Sequence, residues 1–171
     1  MRKVLITMSL VLFTFVGYTQ NAKDLYIKGV DLFEQKRYQD AIKVFTKAVE
    51  LNPKFKEAYF KRGVCYSFLE DYKNAAKDFT KVVILDPSDA KAYYNRGLAY
   101  KSLYLLNKAL VDFGKAIELN RDFALAYYNR GLVKIALDDI ENACPDLSRA
   151  ADLGVPKARK LFIYYCRGIG S

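Results

Sequence analysis

The segment "AYYNRGLAY" at Ala92–Tyr100 returns as "AYYNRGL" at 126–132 and, more loosely, as "AYFKRGVCY" at 58–66. Each copy begins 34 residues after the one before it. Every copy holds a glycine inside a stretch whose apolar spacing is helical, although glycine in a helix interior costs roughly 0.5–1 kcal/mol relative to alanine. A fixed interval between such glycines indicates a packing requirement that recurs along the chain.

Four independent columns of residues keep the same interval of 34 residues. The columns are Gly29, Gly63, Gly97 and Gly131; Ala41, Ala75, Ala109 and Ala143; Phe45, Phe79, Phe113 and Leu147; and Ala48, Val82, Ala116 and Ala150. Glycine and alanine allow two helices to approach closely, and the large side chains fill the space between them. The columns therefore predict a stack of helical hairpins.

Each unit contains two helical stripes separated by a break. In the third unit the stripes are Tyr93, Gly97, Tyr100 and Tyr104, and then Ala109, Phe113, Ala116 and Leu119. Turn signals between units begin at Asn52, Asp86 and Asn120. Asp89 and Asp122 are expected to cap the helices that follow. Each unit is predicted to be a helix, a tight turn and an antiparallel helix.

This pattern resembles the tetratricopeptide repeat family. The residues that carry the resemblance are the four columns together with Tyr59, Tyr93, Tyr127, Pro53 and Pro87. The resemblance covers Ala22 to about Pro156 and implies an all-α fold, a right-handed superhelical solenoid of four repeats. Leu25, Arg121 and Lys134 depart from the family pattern, as edge and turn positions commonly do.

The four repeats are assigned to residues 22–55, 56–89, 90–123 and 124–156. Gly154 can end a helix and Pro156 can begin one. The remaining sequence predicts a capping helix at 157–166 and a tail at 167–171. Tyr165 stands where a further glycine would fall, so the repeat pattern ends there.

The N-terminal sequence predicts a secretory signal peptide at residues 1–19. Two basic residues precede an apolar stretch at 4–17, which is short for a membrane span and of the right length for a signal. Cleavage is expected after Thr19, with Ala22 as a weaker choice, and an uncleaved membrane anchor is the alternative. The mature protein is therefore expected to be exported, in the periplasm or outside the cell.

The chain has 28 basic and 19 acidic residues, a formal net charge of +9. Loss of the two basic residues of the signal leaves 26 and 19, a balance of +7. Such a charge favours weak attraction to anionic surfaces, which high salt should abolish. Nucleic acid is not expected as the partner of an exported protein. Most lysines stand beside acids, as in "KDFTKVV" at 77–83, and are expected on solvated helix faces.

Cysteine spacing predicts one disulfide. Cys144 and Cys166 each lie 11 residues from Val155, where the last turn is centred, so they face each other in an antiparallel hairpin. In an oxidising compartment their bond would contribute roughly 3 kcal/mol by closing the loop. Two reduced, packed thiols are the alternative. Cys65 is expected to be a buried apolar residue.

The composition argues against catalysis. The sequence contains no histidine, which removes Ser–His and Cys–His pairs and the usual zinc sites. No glycine-rich phosphate loop is present. The acid pairs Glu70–Asp71 and Asp138–Asp139 fall in turns, where they are expected to be capping and solvated residues. No catalytic residue, cofactor or metal site is expected, and the chain is interpreted as non-enzymatic.

A second stripe on the first helix of each repeat is the candidate partner-binding groove. Its residues are Tyr26, Phe60, Lys91, Tyr94, Asn95, Leu98, Lys101, Tyr128 and Asn129. Aromatic rings offer contact area at little entropic cost, and amides can bond a peptide backbone. The structural alternatives are that each aromatic packs on the neighbouring repeat and that each asparagine fastens a turn.

The function expected from this groove is binding of a peptide or partner-protein segment. The alternative is a structural, self-associating component of an envelope assembly. Some members of the family hold a partner's terminal carboxylate with a lysine–asparagine set. Here Tyr26 and Val30, or Phe60 and Val64, stand at the first two positions of that set, and Lys91 is a partial match only. The carboxylate clamp is therefore not expected.

Overall fold

The computed structural model describes residues 21–167, which form nine helices. The helices are α1 (21–34), α2 (Tyr38–Leu51), α3 (Lys56–Phe68), α4 (Tyr72–Leu85), α5 (Ala90–Ser102), α6 (Leu106–Leu119), α7 (Ala124–Ala136), α8 (Ile140–Asp152) and α9 (Pro156–Cys166). None of these helices is long and apolar enough to cross a membrane. The predicted signal peptide at 1–19 and the end of the tail at 168–171 lie outside the described residues.

The chain divides into two compact units, one ending at Leu85 and the other beginning at Asp86. The first unit contains α1 to α4, and its core is built around Phe45, Ala48 and Ala58. The second unit contains α5 to α9. In each unit successive helices form hairpins, so the predicted all-α fold of helix–turn–helix repeats is confirmed.

The turn inside each of the four repeats places one residue in the left-handed backbone region, with φ between 57° and 61°. The residues are Lys36, Glu70, Tyr104 and Asp138, again 34 apart. A left-handed residue directly after a helix lets the chain reverse while the last carbonyls stay hydrogen-bonded. In the second repeat, for example, the N–H of Asp71 donates to the carbonyl of Tyr66. The short turn keeps the two helices of each hairpin in register.

The turns between repeats are fixed by side chains that accept backbone N–H groups two residues later. These side chains are Asn52, Asp86 and Asn120. Asp89 caps α5 as predicted, since its carboxylate accepts the N–H of Ala92. The cap predicted for Asp122 is wrong. Phe123 occupies that position on α7, and Asp122 accepts a hydrogen bond from Arg149 instead.

The recurring glycines lie where a large side chain of the partner helix, a phenylalanine in the first three repeats and Leu147 in the fourth, leaves little room for a Cβ. A Cβ placed on Gly97 would stand 2.8 Å from the ring of Phe113, which is fully buried. At Gly29 the corresponding distance to Phe45 is 2.5 Å. Real Cβ atoms do not approach a ring so closely, so only glycine permits the observed spacing between the two helices.

The predicted disulfide between Cys144 and Cys166 is present, and it joins α8 to α9. Around it the small residues Ala150 and Ala158 pack in one cluster with Leu147. Helix α9 begins at Pro156, one residue before the predicted start, because proline has a backbone angle suited to the first helical position. The last hairpin is thus closed both covalently and by packing.

Cys65 is fully buried and unpaired, as predicted. Burial raises the pKa of its thiol to about 12. The thiol therefore stays protonated at neutral pH and acts as a small apolar side chain in the core of the first unit.

Substitution of Gly97 by alanine should lower the free energy of unfolding by about 1–3 kcal/mol, because the new Cβ would stand 2.8 Å from the fully buried Phe113 ring and force it or the helices to shift. Gly114 is the matched control. It lies in the interior of α6, and a Cβ there would find its nearest neighbour, Arg130 Nη1, 3.7 Å away. Gly114→Ala should raise stability by roughly 0.5–1 kcal/mol through helix propensity alone. Urea unfolding measures both, and a stabilising Gly97→Ala would contradict the packing argument.

Candidate partner-binding site

The two predicted groove residues of the first unit are half-buried against their own core. The Tyr26 ring centroid lies 5.8 Å from Phe45 and 5.1 Å from Phe55. Burial, followed by the charge of Glu57, raises the pKa of the Tyr26 hydroxyl. Phe60 meets Phe79 edge to face at 5.5 Å. These two aromatics therefore contribute to packing and present only part of each ring to solvent.

In the second unit three predicted residues meet in one hydrogen-bonded group that joins α5 to α7. Lys101 Nζ donates to Asn129 Oδ1 at 2.6 Å, and Asn129 Nδ2 donates to the Tyr94 hydroxyl at 3.2 Å. The same amide nitrogen also donates to the carbonyl of Leu125 at 2.9 Å. Asn129 is only 6% exposed, and both of its N–H groups are used within the protein. Asn129 thus fixes the positions of the Lys101 and Tyr94 side chains relative to each other.

Burial changes the acid–base properties of both groups that Asn129 holds. It lowers the pKa of Lys101, and it raises the pKa of Tyr94 against the opposing effect of the hydrogen bond from Asn129. Within residues 21–167, no carboxylate forms an ion pair with Lys101. The site therefore holds a half-buried cation whose charge is balanced by an amide dipole and by solvent.

The other predicted residues of this unit surround that group. Leu98 packs with Tyr94 against the cluster of Phe113 and Val133, whereas Tyr128 packs against the cluster that contains the disulfide. Asn95 donates its amide to the backbone carbonyl of Lys91, whose side chain is exposed. We call the surface formed by Tyr94, Leu98, Lys101 and Asn129 the α5–α7 face.

A buried ion pair joins the two helices of each of the last three repeats, and none of these pairs was predicted from the sequence. An arginine directly precedes each of Gly63, Gly97 and Gly131. It makes two hydrogen bonds to a buried aspartate of the partner helix, the shorter at 2.6–2.7 Å. The pairs are Arg62–Asp78, Arg96–Asp112 and Arg130–Asp146. The repeated dipeptide Arg-Gly, with Asp-Phe or Asp-Leu 16 residues later, could have revealed them.

The pairs are desolvated, which makes each one depend on its partner. Hydrogen bonding to Asp112 raises the pKa of Arg96. At Asp78 burial raises the pKa although Arg62 acts in the other direction, so the cost of removing the carboxylate from water is large there. In the segment "KDFTKVV" Lys77 is exposed, as expected for its lysines, whereas Asp78 beside it is buried. In the first repeat Lys28 and Val44 occupy these positions, and the pair is missing.

Family models match most of the described chain. The model described as "TPR repeat" matches residues 29–67. Models described as "Tetratricopeptide repeat" match residues 56–89, 90–123 and 124–153. Taken together, these matches follow one another from the first predicted repeat to the fourth.

Curated relatives match over a short stretch. Hsp70-Hsp90 organizing protein 2 of Arabidopsis thaliana is 43% identical over 42 residues, and Hsp70-Hsp90 organizing protein 1 of Glycine max is 45% identical over 42 residues. Each match covers 25% of this chain and only 7% of the relative. The chain thus shares a single repeat-sized segment with proteins that are much longer.

Solved structures match over most of the chain. MamA 41-end from Desulfovibrio magneticus RS-1 is 29% identical with a TM-score of 0.75, covering 78% of this chain and 75% of that one. The first TPR of Spaghetti (RPAP3), solved with the HSP90 peptide SRMEEVD, is 30% identical with a TM-score of 0.68. That match covers 70% of this chain and 95% of the other. Another MamA structure has a TM-score of 0.83 at 24% identity, which shows similarity of fold.

Removal of one member of a buried pair should destabilise the protein far more than removal of both. Asp78→Leu leaves the Arg62 guanidinium buried without a counter-charge and should cost about 3–5 kcal/mol. The double variant Arg62→Met/Asp78→Leu should recover most of that loss. The exposed pair Lys115–Glu118 is the control, because Glu118→Gln should leave the urea midpoint unchanged. A double variant as unstable as the single one would contradict the desolvation argument.

Proposed function

We propose that this chain, which belongs to the tetratricopeptide repeat family, binds an extended segment of a partner protein on the α5–α7 face. The family is one of protein-interaction modules, and its helical repeats are the scaffold on which such a surface is built. The proposal adds a location and a kind of ligand to that general role. The α5–α7 face, on the second unit, is the location.

The observation that carries the proposal is the group of Lys101, Asn129 and Tyr94. The Lys101 ammonium has three N–H donors and gives one of them to Asn129. The Tyr94 hydroxyl accepts from Asn129, and its own O–H can still donate. These donors converge on a partly apolar surface, where a peptide carbonyl or carboxylate could accept hydrogen bonds from them in place of solvent.

Apolar contact would supply the rest of the affinity. The Tyr94 ring, 4.7 Å from Phe123 and 5.8 Å from Phe113, is held in place and would lose little freedom on binding. Leu98 lies one helical turn further along α5. A rigid aromatic ring beside fixed hydrogen-bond donors resembles the hot spots that supply most of the binding free energy in many protein interfaces.

Export of the protein is part of the same proposal. The signal-like sequence at residues 1–19 supports it, as does the disulfide, which oxidising compartments maintain. The partner would then be a protein of the periplasm or of the cell exterior. Self-association into a structural assembly is the competing function, and the size of the protein in solution distinguishes the two.

Lys101→Met should weaken capture of the partner about tenfold, because it removes the central cation and keeps the length of the side chain. Tyr94→Phe, which removes only the hydroxyl, should weaken it less. Lys73→Met, an exposed lysine on α4, is the control for lost charge and should bind like the wild type. The immobilised chain and its variants are offered envelope extract of the source organism, and retained proteins are quantified by mass spectrometry. Equal retention by all variants would contradict the proposed location.

A sedimentation experiment separates binding from self-assembly. Over a hundredfold range of concentration we expect the sedimentation coefficient of the protein alone to stay constant. A coefficient that rises with concentration, together with no retained protein, would favour the structural role over the binding role.

The peptide SRMEEVD should not bind this chain with useful affinity. The first TPR of Spaghetti (RPAP3) was solved with an HSP90 peptide of that sequence, but the first lysine and asparagine of the carboxylate clamp are replaced here by Tyr26 and Val30, or by Phe60 and Val64. We expect no difference between SRMEEVD and a scrambled peptide of the same composition up to about 1 mM, a concentration that corresponds to about −4 kcal/mol. Tight, sequence-specific binding by fluorescence anisotropy would show that a clamp exists despite these residues.

A further inference from the structure

A second surface of the last hairpin differs in chemistry from the α5–α7 face. A cavity of about 400 Å³ opens between the end of α8 and the start of α9. Its walls are mostly apolar, from Ala151, Val155, Pro156 and Ile163. A volume of this size is within the range of small-molecule sites. The disulfide between α8 and α9 fixes the two helices that form the walls.

The charged residues of this cavity are both cationic. Arg159 and Lys160 line it, both are exposed, and neither forms an ion pair with any of residues 21–167. Helix α9 has no acidic residue in its first turn, and Lys157 adds a third cation there. A helix N-terminus is electropositive and ordinarily favours acids, so these cations stand where the helix itself disfavours them. An anion bound beside them would balance the charge.

The backbone of the cavity wall has almost no donors to offer a peptide. The N–H of Gly154 donates to the carbonyl of Ala151, and the N–H of Val155 donates to the carbonyl of Ala150. Pro156 has no N–H at all. A peptide lying here would bury amide groups without partners, at a free-energy cost, whereas an alkyl chain requires no hydrogen bonds. The wall is therefore suited to hydrocarbon and the rim to an anionic head group.

We propose that the α8–α9 cavity binds a single-chain fatty acid, with its alkyl chain against Ala151, Val155 and Ile163 and its carboxylate beside Arg159 and Lys160. The size of the cavity favours one chain over the two chains of a phospholipid. The guanidinium of Arg159 can give a carboxylate two parallel hydrogen bonds, and Lys160 adds a second positive charge. This site is separate from the α5–α7 face and does not depend on the peptide-binding proposal.

The test is calorimetric titration of the full chain with sodium dodecanoate below its aggregation concentration. Dodecanol, which has the chain without the charge, and acetate, which has the charge without the chain, are the matched ligands. Arg159→Glu/Lys160→Glu reverses the charge of the rim. Ile163→Ser replaces a large apolar side chain of the wall by a small polar one. Lys54→Glu/Lys73→Glu is the control, because it changes the net charge equally at exposed positions of the first unit. The N-terminal segment is common to all variants, so their differences belong to the cavity.

We expect saturable binding of dodecanoate, about tenfold weaker in the rim variant and in Ile163→Ser and unchanged in the control. Acetate should give no measurable heat, and dodecanol should bind more weakly than dodecanoate. Circular dichroism verifies that each variant is folded. Absence of dodecanoate binding, equal weakening in the control and rim variants, or equal affinity for dodecanol would overturn the proposal.

Discussion

The contact between a glycine on one helix and a large buried side chain on the next sets the spacing of the two helices in every repeat. Where Gly97 meets Phe113, the backbone of α5 lies directly against the ring, and a Cβ would stand 2.8 Å from it. A short turn with Tyr104 in the left-handed region connects the two helices. The same contact at intervals of 34 residues makes each unit a stack of equivalent hairpins.

Close approach of the backbones also has an electrostatic consequence. In the last three repeats the arginine that precedes the recurring glycine reaches a buried aspartate of the neighbouring helix and donates hydrogen bonds to it. Each such arginine also lies over the ring of a tyrosine on its own helix, as Arg96 lies over Tyr93 at 5.3 Å. A pair of this kind adds little net stability compared with well-packed apolar residues of similar volume.

The fold could be predicted from the sequence because its decisive residues are small or aromatic and recur at one interval. The disulfide followed from the same reasoning, since an antiparallel hairpin brings Cys144 and Cys166 together. The buried pairs were missed because an aspartate on a helix is expected to be solvated until the arginine of the partner helix is placed beside it. Asp122 was assigned as a cap for a similar reason: a distant Arg149 competes for its carboxylate. Tyr94, Lys101 and Asn129 were named as candidates for partner contact, but their hydrogen bonds to one another depend on the packing of α5 against α7 and could not be predicted.

The central claim is that the second unit binds its partner through the α5–α7 face. The most direct measurement is a comparison of NMR spectra of the ¹⁵N-labelled chain with and without the captured partner segment. The account predicts that the shifted resonances cluster at Tyr94, Leu98, Lys101 and Asn129. The resonances of the solvent-exposed residues of α6 should keep their positions. Shifts concentrated on α6 or α9, with the Lys101 and Asn129 resonances unchanged, would contradict it.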